Sequence, residues 1–312
     1  SIHKYNSGYV HMPLPFKERP QLPLNRTEVM KRFQGLKKRF SADSKYQADY
    51  IKFMNGMIDA NEAEPVPDRD ASAVPGQIWY LPHFGTYHPS KPEKIRVVFD
   101  CSARYFGQSL NDQLLSGPDM LNKLAGIICR FRKERVAIAC DIQAMFNRFK
   151  VEPADRNYLR FLWLDKEGNI ADFRMTTHLF GAVSSPGCAN FGLRKLAKDF
   201  SSKYPEACSF AEIKFYIGDG LISVDSIDIA KKLVCEAREV CAAGNLRLHK
   251  FMSNEPMALE GLPVSEKDEV MEKLEIAAGY TLGIKWQVSS DIFTFSACHV
   301  KRPCTRRGIL AT

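Results

Sequence analysis

Two apolar runs in this chain end on carboxylates. Val136-Ala-Ile-Ala-Cys140 is unbroken, as expected of a strand buried on both faces, and it stops abruptly at Asp141. Phe215-Tyr-Ile-Gly-Asp-Gly-Leu-Ile-Ser223 carries apolar residues on both sides of Gly218-Asp219. That pattern predicts a β-hairpin, and glycine at the first central position suits a tight two-residue turn. Taken alone, it is also the tip of an ordinary hairpin. Together, the runs set one carboxylate at a strand end and another at a hairpin tip, where they can meet on one sheet. Two such groups in a mostly apolar setting call for a cation between them.

The remaining pattern alternates helices and short strands. Residues 1 to 25 hold Pro13, Pro15, Pro20 and Pro23 with few periodic apolars, and predict an extended arm. A helix is expected over 27–40 with Thr27 as N-cap, then a polar surface helix over 44–60 and a loop to Gly76. Strands are expected over 77–81 and 94–100, joined by a turn-rich connector from His83 to Pro92. Ser109 to Gly117 reads as a loop, with Asp119 capping a helix over 120–131. After the run ending at Asp141, strands over 157–164 and 170–175 flank a turn at Asp165-Lys-Glu-Gly168. Pro186 suits the first turn of a helix reaching Phe200, capped by Ser184 or Ser185. An amphipathic helix over 226–243 ends at Gly244 as C-cap, followed by a strand over 246–250. A last hairpin pairs 279–286 with 291–295.

Composition narrows the class. The chain has 312 residues, enough for a large core and two or three subdomains. Its net charge of +8 leans towards a polyanionic partner. Nine cysteines show no Cys-x-x-Cys pair. Cys101, Cys129, Cys140, Cys188 and Cys208 mostly sit among apolar or small residues, which fits reduced thiols in an intracellular protein. No histidine–cysteine spacing suits zinc. No apolar run approaches the roughly 20 residues that span a bilayer.

The two carboxylate segments bring in a family. Phe215 to Ser223 resembles the Tyr-x-Asp-Asp hairpin of reverse transcriptases, and Asp141-Ile-Gln-Ala-Met-Phe146 resembles the motif with their other metal-binding aspartate. The resemblance is to the reverse transcriptase of Pao/BEL-type LTR retrotransposons and covers nearly the whole chain. It continues through Trp79 to Gly85, Lys94 to Asp100, Ser109 to Asp119, Leu159 to Trp163, His178 to Pro186, Lys250 to Asn254 and Leu282 to Trp286. It implies an α+β right-hand polymerase with an antiparallel palm sheet backed by helices. The implied regions are an N-terminal arm with helices (1–76), fingers (77–135), a palm (136–276, with finger elements at 150–185) and a primer-grip hairpin leading into a thumb or connection (277–312). The chain is expected to be a piece of a longer polyprotein.

The resemblance also implies roles. Asp141, Ile142 and Asp219 would hold two Mg²⁺ ions about 3.5–4 Å apart, with the attacking and leaving oxygens between them. Lys250 would be general acid to the departing pyrophosphate, or else a solvated lysine. Lys94 and Arg96 would face the triphosphate, Arg96 by a bidentate match, or else lie on a solvated strand. Ile142, Phe146, Phe180, Gly181, Ser185 and Pro186 would line the nucleotide site. Phe146 as a core residue, and 180–186 as a plain helix start, are the alternatives. Arg130 and Arg132, with Lys133 and Arg135, would touch backbone phosphate or form a solvated helix end. Leu282, Gly283 and Trp286 would grip the primer. Expected partners are primer with RNA or DNA template, deoxynucleoside triphosphates and other polyprotein segments, with no membrane. The expected location is a cytoplasmic particle, the nucleus being the alternative.

One position departs from the family pattern. Tyr-x-Asp-Asp reads Tyr216-Ile217-Gly218-Asp219, so the residue that bridges both ions in the family is a glycine here. The expectation is a polymerase domain inactive or nearly so, or a nucleic-acid-binding module without catalysis. A purely structural role within a polyprotein would leave no nucleic-acid affinity. Asp100 and Asp112 are stand-ins by charge alone, since their motif positions put them in the fingers.

Overall fold

The computed structural model describes residues 3–4, 8–71, 74–88, 91–118, 122–267, 273–275, 284–288 and 290–295. In chain order it begins with β1 (His3–Lys4), β2 (Val10–Met12), α1 (Arg26–Ala42), α2 (Ser44–Asp59), β3 (Ala63–Pro65) and α3 (Asp68–Ala71). Then come β4 (His83–His88), β5 (Lys91–Phe99), α4 (Leu110–Gln113), α5 (Leu124–Phe131), β6 (Val136–Ile142) and β7 (Lys150–Val151). Next are β8 (Arg160–Leu164), β9 (Ile170–Met175), α6 (Ser185–Phe200), α7 (Pro205–Ile213), β10 (Phe215–Tyr216) and β11 (Asp219–Val224). The last are α8 (Ile227–Ala242), β12 (Leu248–Ser253), β13 (Lys273–Glu275), β14 (Ile284–Gln287) and β15 (Ile292–Phe295). The chain divides into two compact units. One comprises residues 1–121, 144–199 and 241–246; the other comprises 122–143, 200–240 and 247–312.

The first unit is built on aromatic packing. Tyr46 and Tyr50 of α2 bury their rings with Phe40 of α1 and Trp163 of β8, and Tyr50 stacks on Trp163 at 5.5 Å. Although α2 reads as a polar surface helix, Tyr46, Tyr50, Met54 and Met57 form a buried stripe at helical spacing. Asp43 caps it, accepting from the Tyr46 N–H at 2.9 Å. Thr27 does not cap α1, because the helix already includes it. The N-cap position belongs to Asn25, whose side chain instead pairs with both backbone groups of Tyr80 at 2.8 Å.

Strand assignments shift for a packing reason. Residues 77–81 are extended but touch the sheet only through a Tyr80–Arg160 bridge, while the expected connector from His83 is strand β4, paired antiparallel with β5. Gly85 reads as a turn residue from sequence. In the fold it clears space: a Cβ there would sit 2.7 Å from Ile95 Cδ1 and 2.8 Å from Tyr46 Oη. The tip residues Pro89 and Ser90 lie outside the described residues. The loop to Gly76 contains β3, which pairs with β9, and β9 pairs with β8. The proline-rich arm is held by backbone: β2 pairs in parallel with β7, and Leu115 N–H donates to Pro15 O at 2.8 Å.

The second unit holds a four-stranded antiparallel sheet in the order β10-β11-β6-β12. Small residues Ala137 and Ala139 on β6 let Ile127 and Phe131 of α5 pack close, with Leu221, Met252 and Trp286 in the same cluster. Helix α5 starts at Leu124, with Lys123 at the N-cap position and no side-chain cap; Asp119 lies outside the described residues. Helix α7 has no counterpart in the sequence pattern. Helix α8 buries Ala230, Leu233, Val234, Ala237 and Val240. Gly244 follows it, but the left-handed residue is Asn245, at φ 59°. Residues 241–246 belong to the first unit, where glycine at 244 serves packing, since a Cβ would meet Leu196 Cδ2 at 2.7 Å. Among the described residues no helix is long and apolar enough to cross a membrane.

Candidate active site

The register of β6 decides the site. Asp219 is the Cα partner of Asp141 on one side, and His249 is its partner on the other. The apolar run from Val136 to Cys140 is buried between both neighbours, and Asp141 emerges near the C-terminal end of this inner strand, 29% exposed at its side chain. Asn254 fixes the other end of β6: its Oδ1 accepts from Ala137 N–H at 2.8 Å and its Nδ2 donates to Arg135 O at 3.0 Å.

The hairpin turns one residue earlier than glycine preference suggests. Tyr216 pairs with Asp219, so Ile217 and Gly218 are the central residues. Ile217 takes the left-handed conformation at φ 56°, and Gly218 does not have a positive φ. The two glycines beside Asp219 therefore differ in kind. At Gly220 a Cβ would strike Phe215 Cζ at 2.6 Å and Phe210 Cζ at 2.9 Å, so packing demands glycine. At Gly218 the nearest atom to a Cβ is Asp141 Oδ1 at 3.2 Å, then Ile142 O at 3.8 Å. Nothing in the backbone requires glycine there. A side chain at 218 would point at the Asp141 carboxylate and the Ile142 carbonyl. Asn122 steadies the hairpin, donating to Phe215 O at 2.9 Å.

Two donors already hold Asp141. Lys250 Nζ lies 2.8 Å and His249 Nε2 3.1 Å from the same oxygen, Oδ2. Burial lowers the pKa of His249 below its ordinary value. The ring is then neutral at pH 7, and its Nε2–H donates to the carboxylate. The formal positive charge comes from Lys250. Consecutive strand residues normally point to opposite faces. Here the pairing jumps from His249↔Asp141 to Met252↔Ala139, and Lys250 has φ 52°. This β-bulge brings both side chains onto one oxygen. A left-handed lysine costs about 1–2 kcal/mol.

As a site for two divalent ions the arrangement does not fit. Magnesium takes oxygen ligands in near-octahedral geometry. Asp141 and Asp219 face each other, but position 218 offers no ligand and one Asp141 oxygen is engaged by Lys250 and His249. Among the described residues no group of three or more His, Cys, Asp or Glu side chains could hold a metal ion. The two charge-based stand-ins are committed locally. Asp112 forms a capping box with Ser109 and pairs with Arg104 at 3.0 Å, and Asp100 accepts from Ser102 N–H at 3.1 Å.

The other sequence-singled residues fall on both units. In the first, Lys94 and Arg96 are exposed on one face of β5, while Ile95 and Phe99 turn into the core. Phe146 lies on a short 3₁₀ turn with its ring centroid 6.0 Å from that of Phe180, which is 69% exposed. Gly181, at φ +111°, has a backbone reason for glycine: a Cβ would lie 2.6 Å from Phe99 O. Asn111 ties this corner, donating to Gly181 O at 3.0 Å and accepting from Val183 N–H at 2.9 Å. Ser185 does not cap α6; its hydroxyl donates to Leu179 O at 2.7 Å, and Pro186 follows as the second helical residue.

In the second unit the basic cluster is largely paired. Arg132 pairs with Asp291, Lys133 with Glu134 at 2.6 Å and Arg135 with Glu255 at 3.1 Å, while Arg130 donates to Ile213 O at 3.3 Å. Trp286 is fully buried, packs edge-on to Phe131 at 4.8 Å and donates to Asp291 Oδ1 at 2.9 Å. Leu282 and Gly283 lie outside the described residues. His249, Asn111 and Asn122 escape sequence reasoning. His249 has a faint signal, standing beside Lys250 at a strand position, whereas the two asparagines act through contacts 70 and more residues away.

Comparison with solved structures identifies the architecture. A foamy viral protease–reverse transcriptase in complex with double-stranded DNA aligns with TM-score 0.58 and 12% identity over 100% of this chain and 43% of that one. This is a reverse-transcriptase-like fold. The native prototype foamy virus protease–reverse transcriptase aligns over 76% of this chain and 25% of its own, with TM-score 0.48 and 12% identity. This chain thus spans less than half of the length of the solved reverse transcriptases it matches. No family model and no curated protein matches. In this reverse-transcriptase-like fold, β6 and the β10–β11 hairpin carry the paired aspartates.

Proposed function

We propose that the chain is the fingers and palm of an RNA-directed DNA polymerase of Pao/BEL retrotransposon type, with its metal site disabled at Gly218. The observation that carries this reading is the direction of the missing side chain. A Cβ at 218 would lie 3.2 Å from Asp141 Oδ1, on a backbone that accepts any residue, beside an aspartate in register with Asp141. An aspartate at 218 would complete a three-carboxylate set with Asp141 and Asp219. Mg²⁺ held there, with the Ile142 carbonyl, would supply charge neutralisation for nucleotidyl transfer. Within the first unit, Gly181, Phe146 and Phe180 keep a formed corner and Lys94 and Arg96 keep an open basic face, which supports descent from such an enzyme. Template with primer, deoxynucleoside triphosphates and other polyprotein segments are the partners this reading assigns.

A second reading is a nucleic-acid-binding module without catalysis. It draws on the same bulge, because Asp141 is already charge-balanced by Lys250. Primer extension on an RNA template with Mg²⁺ or Mn²⁺ separates the two, comparing the chain with Gly218→Asp. Extension by the Gly218→Asp variant only, by 10-fold or more over the parent, is the expected outcome. Comparable extension by both proteins would remove position 218 from the metal site. Salt-dependent duplex binding by both, without extension by either, would favour the binding module.

A further inference from the structure

The Asp141 carboxylate already carries a cation, and that cation is a side chain. We infer that Lys250 is the resident cation of this site: its ammonium occupies the Asp141 carboxylate and keeps divalent metal ions out. The inference rests on the reading of Asp141 and Asp219 as the remnant metal site, and goes beyond it by giving Lys250 a role that needs no substrate.

The geometry is specific. Lys250 Nζ reaches Asp141 Oδ2 at 2.8 Å, closer than His249 does to the same oxygen at 3.1 Å. A regular strand would send Lys250 to the face opposite His249. The register jump in β12 and the left-handed backbone of Lys250 defeat that alternation. Bulges re-aim side chains in this way. Asp219 is the register partner of Asp141 on the neighbouring strand. At position 218 there is no third carboxylate to compete for it. A divalent ion entering here must displace an ion pair already formed and gains only two carboxylates in return.

The test is direct Mn²⁺ binding, read by electron paramagnetic resonance of the free ion, on the whole chain and two variants. Lys250→Met keeps the aliphatic stem and removes the charge. Gly218→Asp adds the third carboxylate. Thermal melts check that both variants remain folded. The expected result is that Lys250→Met binds Mn²⁺ more tightly than the parent chain, by up to about fivefold, the worth of a largely exposed ion pair, without any change at 218. Equal affinity of the parent and Lys250→Met, including no binding by either, overturns the role of Lys250. Gly218→Asp distinguishes the two layers of the argument. If it binds Mn²⁺ more tightly while Lys250→Met does not, the remnant site stands and the resident cation falls. If it binds no better than the parent, the assignment of the site falls as well.

Discussion

Asp155 and Asp141 both meet cations, and the terms on which they do so differ. Asp155, in the first unit, is only 2% exposed, accepts from Leu14 N–H at 2.8 Å and pairs with Arg19 at 2.7 Å. Its role is to pin the N-terminal arm, and its partners are ordinary residues of the scaffold. Asp141, in the second unit, is 29% exposed and is met by Lys250 from a bulge with left-handed backbone. Asp155 is held because the fold needs its charge satisfied. Asp141 stands near a strand end, and Lys250 and His249 satisfy its charge locally. Polar groups that build the fold should therefore be costly to disturb, and those at the open end of the sheet cheap.

The largest expected effect is on the fold side. His83 is buried between Tyr50 Oη, 2.5 Å from Nδ1, and Leu162 O, 2.9 Å from Nε2. A carbonyl only accepts, so Nε2 carries the proton and Nδ1 accepts from the tyrosine. Burial pushes the His83 pKa down to about 4. The unfolded chain takes up a proton near pH 6.5 while the folded one stays neutral, so stability falls as pH drops from about 6.5 to about 4 and is lost no further below that. The full loss is about 3 kcal/mol. Urea unfolding between pH 7 and pH 4 should show a shallower acid slope for His83→Gln than for the parent. An identical slope would mean that His83 is not held neutral.

Asp155→Ala comes next. It strands the buried Leu14 N–H, while Arg19, 47% exposed, returns to water. The expected cost is about 2 kcal/mol in urea unfolding, against less than about 1 kcal/mol for Asp141→Asn at the partly exposed strand end. Equal losses would erase the distinction between the two carboxylates.

The same contrast explains what was legible in the sequence. Strand β6 announces itself because a run buried on both faces must be apolar throughout, and Asp141 follows from where that run stops; β11 is announced by the hairpin pattern around Asp219. The reverse-transcriptase-like class follows from motifs in order. Features set by distant contacts were not legible. Strand β4 reads as a connector because Gly85 looks like a turn residue until Tyr46 and Ile95 are seen packed over it. The turn is misplaced by one residue because Ile217, against its β-branched preference, takes the left-handed position. The meeting of Lys250 with Asp141 depends on a bulge, and no local preference predicts a left-handed lysine.

The smallest effect sharpens the comparison most. Gly218 and Gly220 flank the same aspartate, and alanine at each asks whether glycine is there for the fold. At 220 the added methyl meets two buried phenylalanine rings at 2.6 and 2.9 Å. Gly220→Ala should cost about 1–3 kcal/mol. At 218 the only close atom is the end of a partly exposed carboxylate, 3.2 Å away, which can rotate aside. The backbone there is ordinary, and alanine also restricts the unfolded chain, a gain of up to about 1 kcal/mol. Gly218→Ala should thus shift the unfolding midpoint by no more than about 0.5 kcal/mol either way. A near-neutral result would mean that the fold places no demand on position 218, so that any activity or metal affinity gained by Gly218→Asp comes from the carboxylate itself. A loss as large as at 220 would make glycine structural at both positions, and the Asp141 side of the comparison would then be scaffold too.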